Sequence, residues 1–132
     1  MEKKLKHLEF IQNVIMRMNN NSFLIKGWAI TLISALFALA SKDANRNYVM
    51  VSYIVIPVFW ILDGFLISNE RKFRALYEKV ALKSDDNIDF NMDTSSFNNK
   101  NRTWIMGIFS KTLILFYGIS IAVTLFVMFL LK

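Results

Sequence analysis

Residues 112–131 read TLILFYGISIAVTLFVMFLL, twenty consecutive residues without a charge. At 1.5 Å per residue an α-helix of that length covers ~30 Å, the thickness of a bilayer's hydrocarbon layer. Two further apolar stretches precede it, at 23–41 and 48–68. The second carries one charge, Asp63, near one end. The first holds fifteen uncharged residues between Lys26 and Lys42, and those lysines can snorkel to the headgroups, so it can still span. A soluble helical core is the alternative, but 132 residues supply too little polar covering to hide three such helices. The expected fold is all-α: one integral membrane domain over 1–132, with three transmembrane helices, cytoplasmic amphipathic helices and the lipid bilayer as solvent. Ala38-Leu39-Ala40 has the small-x-small form of a signal-peptide cleavage site. Twenty-two patterned residues in front of the first stretch favour its retention.

The basic residues fix an expected orientation. Lys3, Lys4, Lys6, Arg17 and Lys26 stand at the N-terminal side, and Arg71, Lys72, Arg74, Lys79, Lys83, Lys100, Arg102 and Lys111 follow the second stretch. Only Lys42, Arg46 and Lys132 stand on the other side. The positive-inside rule then places the N terminus and 69–111 in the cytoplasm, with 42–47 and the C terminus outside.

Residues 1–22 read as an amphipathic helix of about 18 residues whose stripe is Leu5, Leu8, Ile11 or Gln12, Ile15 and Met18, widened by Phe10 and Val14. The polar cluster Asn19-Asn20-Asn21-Ser22 predicts a turn or a new N-cap after it. Phe73, Leu76, Tyr77 and Val80 form a second stripe with no Gly or Pro between it and the second stretch, which predicts one continuous helix through both. The two stripes are expected to pack on each other, with the lipid surface as the alternative. Residues 84–101, rich in Asn, Asp and Ser, read as the least ordered part, and Thr103 or Asn101 as the cap of the last helix.

Lys26, Asp63 and Lys111 each fall a few residues inside the cytoplasmic end of a different stretch. An unpaired carboxylate there is costly, so Asp63 is expected to face inward and take a cation, as a register-fixing ion pair or as part of a charged ring at a pore mouth. Trp28, Trp60 and Trp104 lie at that level and suit an aromatic belt, with Tyr48 and Tyr53 at the opposite interface. Gly27, Thr31, Ser34 or Ala35, Ala38 and Ser41 share one helical face, and Tyr117, Ser120 and Thr124 another. Gly107 and Gly118 are expected to permit close approach. Three helices cannot enclose a pore alone, so a channel requires a homo-oligomer. Pro57 frees a carbonyl near Tyr53, giving a bend or a gate.

Little supports enzyme chemistry. With no cysteine, thiolate metal sites and thiol nucleophiles are excluded. His7, the one histidine, has no partner at ligand spacing and reads as solvated; no metal ligands or cofactor are expected. Asp85–Asp93 echoes a calcium loop, but Phe90 replaces the turn glycine and Ser96 the bidentate Glu. Phosphate loops and nucleophile elbows are absent from the sequence, and a single intramembrane Asp does not make a protease.

What remains is a basic, aromatic surface. Arg71, Lys72, Arg74, Lys79 and Lys83, with Lys100 and Arg102, are interleaved with Phe73, Tyr77, Phe90 and Phe97. Attraction to anionic lipid accounts for such charge in the simplest way. The sharper reading is a site for an anionic nucleotide or oligonucleotide, with Gln12, Asn13 and Arg17 contributing from the first helix. Residues 8–45, LEFIQNVIMRMNNNSFLIKGWAITLISALFALASKDAN, and 59–78, FWILDGFLISNERKFRALYE, resemble small bacterial multi-pass membrane effectors of anti-phage operons, closest to the Hailong type. The resemblance covers about half the chain and rests on overall sequence. It implies a homo-oligomeric ion channel held closed by a single-stranded DNA oligomer, which an operon-encoded nucleotidyltransferase would make. The alternative is a non-conducting membrane anchor that recruits a cytoplasmic partner protein.

Overall fold

The computed structural model describes residues 2–43, 45–99 and 102–130. Among the described residues there are four α-helices: α1 (Glu2–Asp43), α2 (Asn47–Ala81), the short α3 (Trp104–Ile108) and α4 (Lys111–Leu130). Strands are absent from the described residues. α1, α2 and α4 are each long and apolar enough to cross a membrane. α1 is 42 residues and α2 35, hence ~63 and ~52 Å, so each outruns a ~30 Å hydrocarbon layer by a third or more of its length.

The predicted turn at Asn19–Ser22 is not there; α1 passes through it unbroken. The inward residues explain why. His7, Ile11, Ile15, Ser22, Ala29, Ile33 and Ala40 are buried, with Met18, Lys26 and Phe37 half-buried in the intervening places. The spacings run 4, 4, 3 and repeat, so the pattern of inward positions recurs every eleven residues. That rhythm, 3.67 residues per turn, nearly matches the helix itself, so one face of an almost straight α1 can follow α2 from end to end. Asn and Ser disfavour helix interiors only weakly, and this packing overrides them. The same rhythm corrects the expected stripe: Leu5 and Phe10 are exposed, and His7 is buried instead of solvated.

α2 contains Pro57 and runs on to Ala81, as the absence of Gly and Pro between the second stretch and the Phe73 stripe predicted. Ile11 and Ile15 pack against Leu76 and Val80, joined by Leu8, Phe73 and Tyr77. A second cluster, Ala29, Ile33, Ile56, Leu113 and Tyr117, fills the space between α1, α2 and α4.

Between α2 and α3 the loop folds back on the helices and is not a loose connection. Ile88, Met92 and Phe97 pack onto the Ile11–Val80 cluster. Lys4 N donates to Asp85 Oδ1 at 3.0 Å, and His7 Nε2 donates to Asn91 O at 3.0 Å. Its backbone is held by a staircase of Asx turns: Asn91 N to Asp89 Oδ1, Asp93 N to Asn91 Oδ1 and Ser95 N to Asp93 Oδ1, at 2.9–3.1 Å. Thr103 accepts from Met106 N and caps α3, whereas Ser110 accepts from Leu113 N at the start of α4. The last helix is therefore capped by Ser110; the other expected cap, Asn101, lies outside the described residues, as do Lys100, Leu131 and Lys132.

Candidate functional site

Asp63 is fully buried where α1, α2 and α4 meet. Its Oδ2 lies 2.6 Å from Lys26 Nζ and accepts from Tyr117 OH at 3.0 Å. Its Oδ1 accepts from Ser22 Oγ, which in turn accepts from Lys26 Nζ at 2.7 Å. Three donors from two helices thus converge on one carboxylate of a third. The Lys26 ammonium also stands 5.9 Å from the Phe116 ring centroid, and Tyr117 stacks on Trp60 with centroids 5.7 Å apart. A charge removed from water in this way is held only by such a complete set of partners.

The Lys26–Asp63 pairing agrees with the sequence reading; Lys111 does not join it. Leu113, Tyr117 and Thr124 turn the inward face of α4. At ~100° per residue Lys111 lies ~200° away from Leu113. It is exposed and lines a shallow groove with Ile67, Glu70, Arg71 and Arg74. Equal depth had suggested a ring, and the helix azimuth separates its members. Tyr117 and Ser22 are the participants that sequence reasoning missed. Tyr117 had appeared only as part of a hydroxyl stripe, whose other members, Ser120 and Thr124, bond carbonyls four residues back in α4.

The proposed anion-binding residues are scattered and partly committed. Gln12, Asn13 and Arg17 lie exposed on α1. Arg74 pairs with Glu70 at 2.7 Å, Lys83 stands 3.6 Å from Asp89, and Lys79 lies over the Phe97 ring at 5.7 Å. Arg71 donates to Met106 O at 3.4 Å, and Lys72 is half-buried. Arg102 staples the loop, donating to Phe97 O and Asn99 Oδ1. Arg71 and Arg74 line two grooves, neither of which includes Gln12, Asn13 or Arg17. Comparison with known protein families, curated proteins and solved structures gives no match. The chemistry of the surface therefore has to come from its own residues.

Among those, the aspartates of the loop titrate in a defined direction. The Asn91 N–H holds Asp89 below the usual carboxylate value, with Lys83 assisting, and the Ser95 backbone N–H and hydroxyl do the same for Asp93. A carboxyl whose pKa is depressed by folding stabilises above its unfolded value and loses that contribution as pH falls through the folded value. The loop's turns are thus intact at neutral pH and weaken below about pH 4. Amide exchange at Asn91 and Ser95, corrected for intrinsic rates, is expected to accelerate there, and Asp93→Asn should abolish the pH dependence at Ser95.

Proposed function

We propose that the chain is one subunit of a homo-oligomeric ion channel in a bacterial cytoplasmic membrane, controlled by an anionic nucleotide or single-stranded DNA oligomer. The observation that carries this reading is the outward face of α1: Gly27, Thr31, Ala35, Ala38 and Ser41 are exposed, with Ser34 at its edge beside α4. A Cβ added at Gly27 would meet nothing within 4 Å. Small and hydroxyl-bearing faces of this kind serve close helix contacts or line water, and here both require further copies of the chain. The interior of a single chain is filled by the Tyr117 cluster and the Asp63 network and offers ions no path. The ligand would engage the basic ends of α1 and α2, in the cytoplasm, where Arg17 and Lys72 keep charge near the surface. Resemblance to Hailong-type effectors supports the rest: a channel held shut by the oligomer and depolarising the cell when released.

Committed cations favour the second reading. Because Arg74, Lys79, Lys83 and Arg102 each have a partner within the chain, a fixed loop-covered surface that recruits a protein to the membrane is also supported. Planar-bilayer recordings separate the two. Purified protein should conduct, short single-stranded DNA on the basic side should suppress the current, and Ala38→Trp should abolish oligomer and current together. Silence from folded, oligomeric protein would establish the anchor.

A further inference from the structure

α1 and α4 both pack on α2 and leave a cleft between themselves. Ile30, Ile33 and Phe37 form one wall and Phe116, Ile119 and Val123 the other, enclosing about 310 Å³. Ser34 and Ser120 also border it, but Ser120 spends its hydroxyl on Phe116 O at 3.0 Å. The cleft thus suits an apolar occupant. Inside a bilayer an open apolar slot of this size fills with whatever is beside it, which is an acyl chain.

Its polar end is not neutral. One turn before Phe116, on the same face of α4, stands Thr112, and next to it Lys111. These two line a second groove, of about 480 Å³, with Arg71, Arg74 and the single carboxylate of Glu70. Arg74 is paired with Glu70 and Arg71 donates to Met106 O, which leaves the Lys111 ammonium, with no partner among the described residues, to meet a headgroup where α4 begins. Lys26 is near the slot through Phe116, yet its ammonium is committed to Asp63.

We infer that the α1–α4 cleft is a binding site for one anionic phospholipid, with an acyl chain between Ile30–Phe37 and Phe116–Val123 and the phosphate on Lys111. This site does not rest on the channel reading: it meets the outward face of α1 only at Ser34 and leaves the Asp63 network untouched. Charge complementarity selects the lipid class: a zwitterionic headgroup would bring a second cation to an already cationic mouth.

The test is native mass spectrometry of the full chain released from membranes of mixed phosphatidylglycerol and phosphatidylcholine. Wild type should retain one phosphatidylglycerol per chain in preference to phosphatidylcholine. Lys111→Gln, at an exposed position, should reduce that preference about fivefold, the effect of one basic residue near a membrane surface. Val123→Trp, which fills the slot from α4, should remove the bound lipid while the thermal midpoint in detergent stays near that of wild type. Equal retention of both lipids would overturn the inference, as would undiminished retention by Val123→Trp. Displacement of the lipid by inorganic phosphate alone would reduce the site to an anion site without a chain. Loss of oligomers in Val123→Trp with lipid unchanged would assign the cleft to a second copy.

Discussion

Lys26→Ala is expected to lower stability by about 3–5 kcal/mol, the cost of leaving a buried charge without its counter-ion. Asp63 would keep Ser22 and Tyr117 as donors but lose the only cation within bonding distance in this network. The pair itself need not be strongly stabilising for this to hold; desolvation has already consumed much of its attraction. Asp63→Asn in the Lys26→Ala background should therefore recover most of the loss, because no charge is left to strand. Tyr117→Phe should cost less, about 1.5–3 kcal/mol for one hydrogen bond to a charged group. Thermal unfolding in a fixed detergent reads all three, with Lys42→Ala, at an exposed position, as the control. A Lys26→Ala protein no less stable than Lys42→Ala would mean that Asp63 is hydrated.

Half of this site could be read from the sequence and half could not, for physical reasons. A lone carboxylate in an apolar run demands a cation, so a partner from Lys26 or Lys111 follows from energetics alone. Which cation depends on azimuth as well as depth, and only the inward face set by Leu113 and Tyr117 removes Lys111. Ser22 belongs to the run Asn19-Asn20-Asn21-Ser22, whose local preference is for a turn. Its hydroxyl instead serves a carboxylate 41 residues on, and the helix it should have ended is carried through by packing on α2.

The same conflict between local signal and distant contact governs the first turns of α1. Leu5, Leu8 and Phe10 are the more apolar residues there, so hydropathy draws the stripe through them. The inward face keeps Ile11 and Ile15 but takes His7 in place of Leu5 and Phe10, because the rhythm established around Ser22, Lys26 and Ala29 extends backwards unbroken. His7 is then covered by Asn91 and Phe90 of the loop, a contact that no helical pattern announces. Two predictions, the continuation of the second stretch into the Phe73–Val80 stripe and the packing of that stripe on the first helix, held because local pattern and packing agreed.

Gly64→Ala and Gly107→Ala should each destabilise the protein by about 3 kcal/mol or more, while Gly118→Ala should be neutral or gain up to ~1 kcal/mol from helix propensity. At Gly64 an added Cβ would overlap the Ile108 side chain and come within 2.9 Å of the Ile108 Cα. At Gly107 it would overlap Gly64 O and stand 3.1 Å from Ser68 N. Backbone atoms cannot rotate aside, so α3 must move off α2. That movement would break the bonds Trp60 Nε1 to Ile108 O at 2.7 Å, Trp104 Nε1 to Ile61 O at 3.0 Å and Ser68 Oγ to Arg102 O at 2.6 Å, each worth about 1 kcal/mol. At five residues α3 is too short to persist alone, so its helicity depends on this contact. Gly118 has nothing within 4 Å of its added Cβ, which corrects the expectation of close approach there and supplies the control. Unfolding midpoints followed by tryptophan fluorescence should shift down for the first two variants, with early exposure of Trp60 and Trp104. Equal midpoints for all three alanine variants would mean that α3 does not rest on α2 through these glycines.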